Sequence, residues 1–329
     1  MNSVDGVVVE GVAKSFGAVN ALRGIDFRAA PGEVLGILGP NGAGKTTIVN
    51  ILSTLIAPDR GRATVAGHDV VADPAAVRRC IMLTGQFAAL DEMLTGLENL
   101  VLFGRLMGLR KREARARADE LIAEFGLEAA ARRRVGTYSG GMRRRIDIAC
   151  GLVVRPRVVF LDEPTTGLDP RSRQGVWELV SEFRAHHITT LLTTQYLEEA
   201  DALCDRIIVV DHGRVIAEGT PDELKSRTGG SYCEVVPLNA QDLPAMARLL
   251  GDLIPNHCAL LPTAGRISIP APDGARTLTR VLHRLAGSEI ELLDIALRRP
   301  SLDEVFLRLT AATANTRPAS VRDAAEVPA

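Results

Sequence analysis

The chain has 329 residues, 39 lysines and arginines against 40 aspartates and glutamates, and a formal net charge of −1. This length predicts two domains, and the near-neutral balance gives no electrostatic basis for nucleic-acid binding as a primary role. The five cysteines are scattered with no C-x-x-C pair, which favours reduced thiols in a cytosolic protein over a disulfide framework or a zinc site. The N-terminus has no signal-peptide pattern, and no apolar stretch approaches the roughly 18–20 residues of a spanning helix. We therefore expect any membrane role to come through a partner.

The first part of the chain is organised around one glycine-rich loop. Predicted strands in this part are 7–9, 21–27, 34–38, 62–65 and 80–84. The segment 39–47 follows the third of them and fills every fixed position of G-x-x-x-x-G-K-[ST]. An apolar helix is predicted directly after it, ending near residue 57.

This loop predicts a phosphate site. Glycines let successive backbone N–H groups converge on phosphate oxygens, and the helix start adds its positive dipole end. Lys45 can reach the β- and γ-phosphates, and the Thr46 hydroxyl can bind Mg²⁺. The alternative, a glycine-rich turn with a surface lysine, is disfavoured by a complete motif between a strand and a helix. The loop residues are Gly39, Pro40, Asn41, Gly42, Ala43, Gly44, Lys45, Thr46 and Thr47.

The middle of the chain alternates helical and strand patterns. From about residue 94 to 127 the pattern is helical, with Thr95 as the expected N-cap and Gly126 as the expected stop. Its mixed charges indicate a solvated helix face rather than a nucleic-acid contact. Later predicted strands are 158–161, 189–193, 206–210 and 214–217, the last two joined by a hairpin turn at 211–213. This alternation predicts an α/β fold with a mainly parallel, covered sheet.

The character of the sequence changes near residue 226. Residues 233–309 carry no phosphate or metal motif, and short strand-like and helix-like segments alternate there. We expect a small α+β accessory domain at 226–310 and a disordered tail at 311–329, which is rich in alanine. The expected first domain is 1–225, with a helical subdomain at about 87–138.

Two acids follow the apolar strand at 158–161. Asp162, at a strand end beside the glycine loop of a parallel sheet, is a candidate Mg²⁺ ligand. Glu163 is a candidate to polarise an attacking water, and its alternative is an ordinary solvated acid at a strand end.

A second phosphate cradle is predicted where a serine and two glycines precede a helix. These residues are Ser139, Gly140 and Gly141. One nucleotide does not need two complete cradles from one chain. We therefore expect this one to close on the nucleotide held by another copy, in a two-fold dimer with two nucleotides in its interface.

With these motifs in order, the sequence over about 5–225 resembles the ATP-binding subunit of ABC transporters. The glycine loop matches the Walker A motif, 138–142 the family signature, 158–163 the Walker B strand with its glutamate, 167–169 the D-loop and Gln86 the Q-loop. The resemblance implies a P-loop NTPase fold with an antiparallel β-subdomain and a helical subdomain. It also implies ATP and Mg²⁺ as ligands and ATP hydrolysis as the activity.

The resemblance implies roles for single residues. Phe16 would stack on adenine, unless it is an ordinary core phenylalanine. Gln86 would reach the Mg²⁺ and water region and report on a membrane partner. Ser139 and Gly141 would contact the γ-phosphate across the dimer, and Asp169 would link the two sites.

The sequence departs from the family pattern at two positions. Met142 stands where the family most often has glutamine, and we expect little loss because the serine and both glycines remain. Gln195 stands where the family usually has histidine. An amide can donate to the γ-phosphate and accept from water, but it cannot carry positive charge. This leaves Glu163 as the expected base and Gln195 as either a weakened switch residue or a polar strand-end residue with no catalytic share.

A finer resemblance narrows the function. Gln195, 84–91 and 300–306 together look like the daunorubicin/doxorubicin-resistance branch of ABC exporters. This implies an ATPase that powers export of a drug, antibiotic or lipid through separate permease subunits at the cytoplasmic face of the cell membrane. A nucleotide-gated module with little hydrolysis and a glycolipid or polysaccharide exporter remain alternatives. A DNA-repair ATPase is disfavoured because 48–137 is too short for its coiled coil, and a translation factor because the chain has one ATPase half.

Overall fold

The computed structural model describes residues 6–84, 90–226, 230–253, 265–299, 301–303 and 305–306. The chain divides into two compact units, Met1–Pro221 and Asp222–Ala329. Gln86, part of the segment 300–306 and the predicted tail 311–329 lie outside the described residues. Across the described part, no helix has both the length and the apolar character needed to cross a bilayer.

Both units contain strands and helices. The strands are β1 (Val7–Phe16), β2 (Val19–Ala29), β3 (Val34–Leu38), β4 (Arg60–Val65), β5 (His68–Asp69), β6 (Ile81–Thr84), β7 (Val158–Asp162), β8 (Thr189–Thr194), β9 (Arg206–Asp211), β10 (Arg214–Gly219), β11 (Tyr232–Pro237), β12 (Ile267–Pro270) and β13 (Leu292–Arg298). The helices are α1 (Lys45–Leu52), α2 (Pro74–Cys80), α3 (Gly96–Leu106), α4 (Lys111–Glu124), α5 (Gly140–Gly151), α6 (Pro170–Ala185), α7 (Leu197–Leu203), α8 (Pro221–Ser226), α9 (Leu243–Leu250) and α10 (Ala275–Leu285).

A six-stranded sheet with the order β10-β9-β3-β8-β7-β6 forms the centre of the first unit. The pairings from β9 to β6 are parallel, and β10 runs antiparallel to β9. Every residue of β3 and β7 is buried, as expected for apolar strands covered on both faces. The mainly parallel sheet is therefore confirmed. Because the strands are parallel, β3, β7, β8 and β9 bring their carboxyl ends to one edge of the sheet.

An antiparallel sheet with the order β2-β1-β4-β5 forms the predicted β-subdomain. Its apolar residues, such as Val9 and Ile25, share one core with Ile37 of β3 and Ile48 of α1. This shared core places β2 beside the glycine loop.

The helical subdomain packs against Tyr138, the residue before the signature serine. Thr95 is the predicted N-cap of α3: it accepts from the Glu98 N–H at 3.2 Å, and the Glu98 carboxylate accepts from the Thr95 N–H at 2.8 Å. Tyr138 is buried, and its hydroxyl donates to the Ala130 carbonyl at 2.7 Å. A Cβ at Gly96 would lie 2.3 Å from that hydroxyl, so a side chain there would push Tyr138 away from α3.

Two predicted boundaries were wrong, at the helix after the glycine loop and at Cys80. The helix after the glycine loop ends at Leu52, not near residue 57. The stretch 94–127 is helical as predicted; it contains two α-helices, and the chain between them turns at Gly108, whose φ is +92°. Cys80, predicted to open a strand, ends α2. That helix begins because Asp73 caps it and Pro74 takes the first helical position.

The second unit is a small α+β fold, as predicted. Its three strands pair antiparallel in the order β12-β11-β13. Cys233 and Val235 of β11 face one side and share a core with Met246 of α9 and Val281 of α10. Glu234 has the opposite orientation along the strand and forms ion pairs with two arginines.

Candidate active site

A cavity of about 560 Å³ lies where the glycine loop, β2 and the hairpin between β9 and β10 meet. Its lining residues are Val19, Asn20, Ala21, Arg23, Asn41, Gly42, Gly44, Lys45, Thr46, Thr47, Glu163 and His212. The cavity therefore combines most of the predicted loop with the second strand-end acid.

Glycines let the loop follow a backbone path that other residues would resist. Gly42 and Gly44 have φ values of +81° and +111°, in the left-handed region that favours glycine. A Cβ at Gly39 would lie 2.3 Å from the Val210 carbonyl oxygen, because the loop packs tightly on β9. Gly44 caps α1 without a side chain, so the first N–H groups of α1 remain available for an anion.

Lys45 is held inside the loop with its charge at the cavity. The residue is 4% exposed, and its Nζ donates to the Gly39 carbonyl at 2.8 Å and the Pro40 carbonyl at 3.2 Å. The same nitrogen lies 3.4 Å from Glu163 Oε1. A buried ammonium beside a carboxylate and two carbonyls is placed to bind a phosphate that enters the cavity.

Asp162, the last residue of β7, and Glu163, which follows it, are held in place by hydrogen bonds to β8. The Glu163 N–H donates to the Thr193 hydroxyl at 3.0 Å and to the Thr193 carbonyl at 3.1 Å. The Thr193 hydroxyl in turn donates to Asp162, which is buried. Glu163 has a φ of +47°, a conformation that costs about 1–3 kcal/mol for a residue with a side chain and is often found at functional sites. This turn brings Glu163 to Lys45 and leaves Asp162 at the strand end.

The residues expected to hold Mg²⁺ fit that ion chemically. Thr46 is exposed in the cavity and offers a hydroxyl, while Asp162 offers a carboxylate at the end of β7. Both are hard oxygen donors of the kind that Mg²⁺ prefers. Gln86 is among the residues that the structure does not describe.

The signature serine and glycines lie at the start of α5. Ser139 caps this helix by accepting from the Met142 N–H at 3.3 Å, and both Ser139 and Gly140 are exposed. A Cβ at Gly141 would lie 2.2 Å from the Ser172 hydroxyl oxygen of α6. None of the three signature residues is among the described residues that line the cavity. In the described part of the chain, the predicted second phosphate cradle is therefore separate from the cavity.

Asp169 is linked to the signature through Ser172. It caps α6, accepting from the Ser172 hydroxyl at 2.6 Å and from the Ser172 N–H at 3.0 Å. These hydrogen bonds hold the pKa of Asp169 below its usual value. Ser172 thus forms hydrogen bonds with Asp169, the N-cap of α6, and packs closely against Gly141.

Gln195 and Phe16 lie outside the cavity lining. Gln195 is exposed directly after β8, whose pairing with both β3 and β7 places it between the ends of those strands. Phe16 is 50% exposed, so it is not a core phenylalanine. It pairs across the turn with Val19, which does line the cavity, and the Lys14 ammonium lies 5.7 Å from its ring centre. Adenine stacking by Phe16 stays a prediction.

Sequence reasoning missed His212 and Arg23 as lining residues. It had assigned His212 only to a hairpin turn. The Arg23 N–H donates to the Gly213 carbonyl at 2.8 Å, and the Gly213 N–H donates to the Ala43 carbonyl at 3.0 Å. These bonds tie the hairpin to β2 and the glycine loop. The signal was available, because the residue after a strand beside β3 in a parallel sheet reaches the same edge.

Comparison with known proteins agrees with this geometry. Residues 22–166 match the family model described as ABC transporter. The doxorubicin resistance ATP-binding protein DrrA of Mycobacterium tuberculosis is 61% identical over 308 residues, 92% of this chain and 93% of that protein. The daunorubicin resistance ATP-binding protein DrrA3 of Streptomyces coeruleorubidus is 55% identical over 305 residues, 92% of this chain and 95% of that protein. A dimeric ATP-binding cassette in a post-hydrolysis state, bound to ADP and phosphate, is 27% identical with a TM-score of 0.59, over 65% of this chain and 98% of that chain. The chain therefore belongs to the ABC transporter family, as an ATP-binding subunit that hydrolyses ATP.

Proposed function

We propose that the chain powers drug export as a homodimer, with each ATP held between the cavity of one copy and the signature residues of the other. The observation that carries this proposal is the separation of the cavity from the predicted second phosphate cradle. Lys45 and Glu163 line the cavity, whereas Ser139 lies exposed at the start of α5, outside its described lining. A second copy related by a two-fold axis supplies the missing half to each site. The dimeric cassette among the solved structures supports this arrangement.

In this proposal, each of these residues has its own role in the in-line attack by water on the γ-phosphate. Lys45 and the N–H groups at the start of α1 stabilise the phosphate charge. Glu163 polarises the attacking water, and its 3.4 Å contact with Lys45 supports this role. When bound, Mg²⁺ held by Thr46, Asp162 and Gln86 supplies further charge neutralisation.

The signature and switch residues complete the site in this proposal. Ser139, with Gly140 and Gly141, brings the positive end of the α5 dipole to the γ-phosphate of the other copy. Gln195 donates its amide N–H to the γ-phosphate held by its own copy, and Asp169 connects the two sites across the interface. Because an amide carries no charge, Gln195 adds less stabilisation than a protonated histidine would.

We also propose a separate permease as the second partner. Apolar side chains are exposed around α3: Met93 at 67%, Leu102 at 39%, Leu106 at 73% and Met107 at 51%. Exposed apolar clusters commonly mark interaction sites. The names of the two relatives, doxorubicin and daunorubicin resistance proteins, support an amphipathic drug as the cargo. The domain at 226–310, whose described residues have a core of their own, is proposed as an accessory domain.

The dimer is tested with Ser139→Arg in a Glu163→Gln background, which slows hydrolysis and so preserves bound ATP. We expect the Glu163→Gln chain to double its mass in ATP and Mg²⁺ on light scattering. Adding Ser139→Arg should keep it monomeric while ATP binding per chain persists. Ser181→Arg, an exposed serine near the end of α6, is the matched control and should dimerise normally. An ATP-dependent dimer that tolerates Ser139→Arg would contradict the proposal.

The export role is tested in the native membrane. The chain should copurify with a membrane-spanning protein, and doxorubicin should stimulate the ATP hydrolysis of that complex. A complex whose ATP hydrolysis responds to a glycolipid and not to doxorubicin would move the chain to another exporter class.

A further inference from the structure

Glu199 is a buried acid beside the proposed site to which the mechanism gives no task. It is the third residue of α7 and lies four positions after Gln195. Its exposure is 0%, whereas its neighbour Glu198 is exposed. Glutamate is almost never fully buried unless it is paired. The surroundings of this carboxylate therefore need an explanation.

Several elements bring polar groups to the Glu199 carboxylate. Thr194 comes from the end of β8, Thr165 from the loop after Glu163, and Trp177 from α6. Positive charge comes from Arg173 of α6 and Arg144 of α5. Thr194 directly precedes the switch residue Gln195, and Thr165 lies two residues after the proposed base. Helix α6 follows the D-loop, and α5 begins at the signature. One side chain thus adjoins four parts of the proposed machinery.

Both oxygens of Glu199 are buried without a hydrogen-bond partner, as are the Thr165 hydroxyl, the Trp177 indole N–H and Nε of Arg173. Burial raises the pKa of Glu199, and the neighbouring hydroxyls and indole oppose that rise. Buried polar groups in folded proteins nearly always have partners. Three donors and one carboxylate in the same buried place are complementary, so a small shift of α6 or α7 would join them.

We propose that Glu199 is a positioning residue that holds α7, and with it Gln195, in register with the D-loop helix α6. In the tightened arrangement the carboxylate accepts from the Trp177 indole and the Thr165 hydroxyl. Helix α7 has only seven residues and begins two positions after Gln195, so its anchor sets where the amide of Gln195 points. This inference rests on the proposed function, because Glu199 acts through Gln195.

The test is a double-mutant cycle on ATP hydrolysis by the full chain. Glu199→Gln keeps the shape of the side chain and removes the charge that the donors would bind. We expect kcat to fall about tenfold, as for the loss of hydrogen bonds to a charged group. The KM for ATP should stay within about twofold, because the cavity around Lys45 is untouched. Glu198→Gln is the matched control and should match the wild type.

The cycle separates positioning from general stability. We expect Gln195→Ala to lower kcat, and Gln195→Ala with Glu199→Gln to be no slower than Gln195→Ala alone. Wild-type kcat in either single variant, or a double variant slowed by the product of both effects, would overturn the inference. If circular dichroism shows that Glu199→Gln is unfolded, Trp177→Phe, which removes the indole N–H together with the rest of the pyrrole ring, takes its place in the cycle. A wild-type chain that hydrolyses no ATP would instead refute the proposed function, and the inference with it.

Discussion

Glu163→Gln separates the stability of the site from its chemistry. The Glu163 carboxylate lies 3.4 Å from the Lys45 ammonium, with side-chain exposures of 9% and 4%. At an effective dielectric constant near 20, that distance corresponds to about 5 kcal/mol of attraction, most of which the cost of desolvating both charges offsets. Lys45 keeps the carbonyls of Gly39 and Pro40 as partners. We therefore expect the free energy of unfolding to fall by less than about 2 kcal/mol.

The effect on hydrolysis should be larger. Loss of a general base slows a reaction by about 10²–10⁴-fold, or roughly 3–5 kcal/mol of activation free energy. ATP affinity should hold or rise, because one negative charge leaves the phosphate site. Single-turnover hydrolysis, ATP binding and urea unfolding measure the three quantities, with the exposed Glu198→Gln as the control. Hydrolysis within about threefold of the wild type would refute Glu163 as the base.

Three further outcomes test other parts of the structure. Gly141→Ala should lower the free energy of unfolding by about 1–3 kcal/mol, because its Cβ would lie 2.2 Å from the Ser172 hydroxyl oxygen. Gly140→Ala is the control, since its Cβ would meet nothing closer than 3.9 Å. Equal urea midpoints for the two variants would contradict this packing. Thr95→Ala should cost about 1 kcal/mol in the same assay through loss of the α3 cap, and an unchanged midpoint would contradict that cap. Burial raises the pKa of Glu199 above its ordinary value of 4.5, so the folded chain keeps this proton to a higher pH than the unfolded chain does. The contribution of Glu199 to the free energy of unfolding therefore falls as the pH rises from the unfolded-state pKa through the folded-state pKa. As the pH rises above 4.5, the ordinary pKa of a glutamate carboxyl, the wild type should therefore lose more stability than Glu199→Gln, and parallel losses would contradict the shift.

The parts of the site that are formed by a short, continuous stretch of the chain can be predicted from the local sequence. The glycine loop could be predicted because its glycines, lysine and threonine act within nine residues, between a buried strand and a helix. The cap at Thr95 and the hairpin turn at 211–213 could be predicted for the same reason. Helix α2 was not predicted because it has only seven residues and leads directly into an apolar strand. Its start is marked only by Asp73 and Pro74.

The sequence by itself therefore determined the family of the chain, and it predicted the residues of two phosphate cradles. Only the tertiary structure decided which of them meet. It brings Lys45 to Glu163, Gly141 to Ser172 and His212 to the glycine loop, and it buries Glu199. These contacts join residues far apart along the chain, and their distances depend on the order and register of the strands that carry them. No local pattern of residues encodes those distances, because they arise from the packing of the whole sheet.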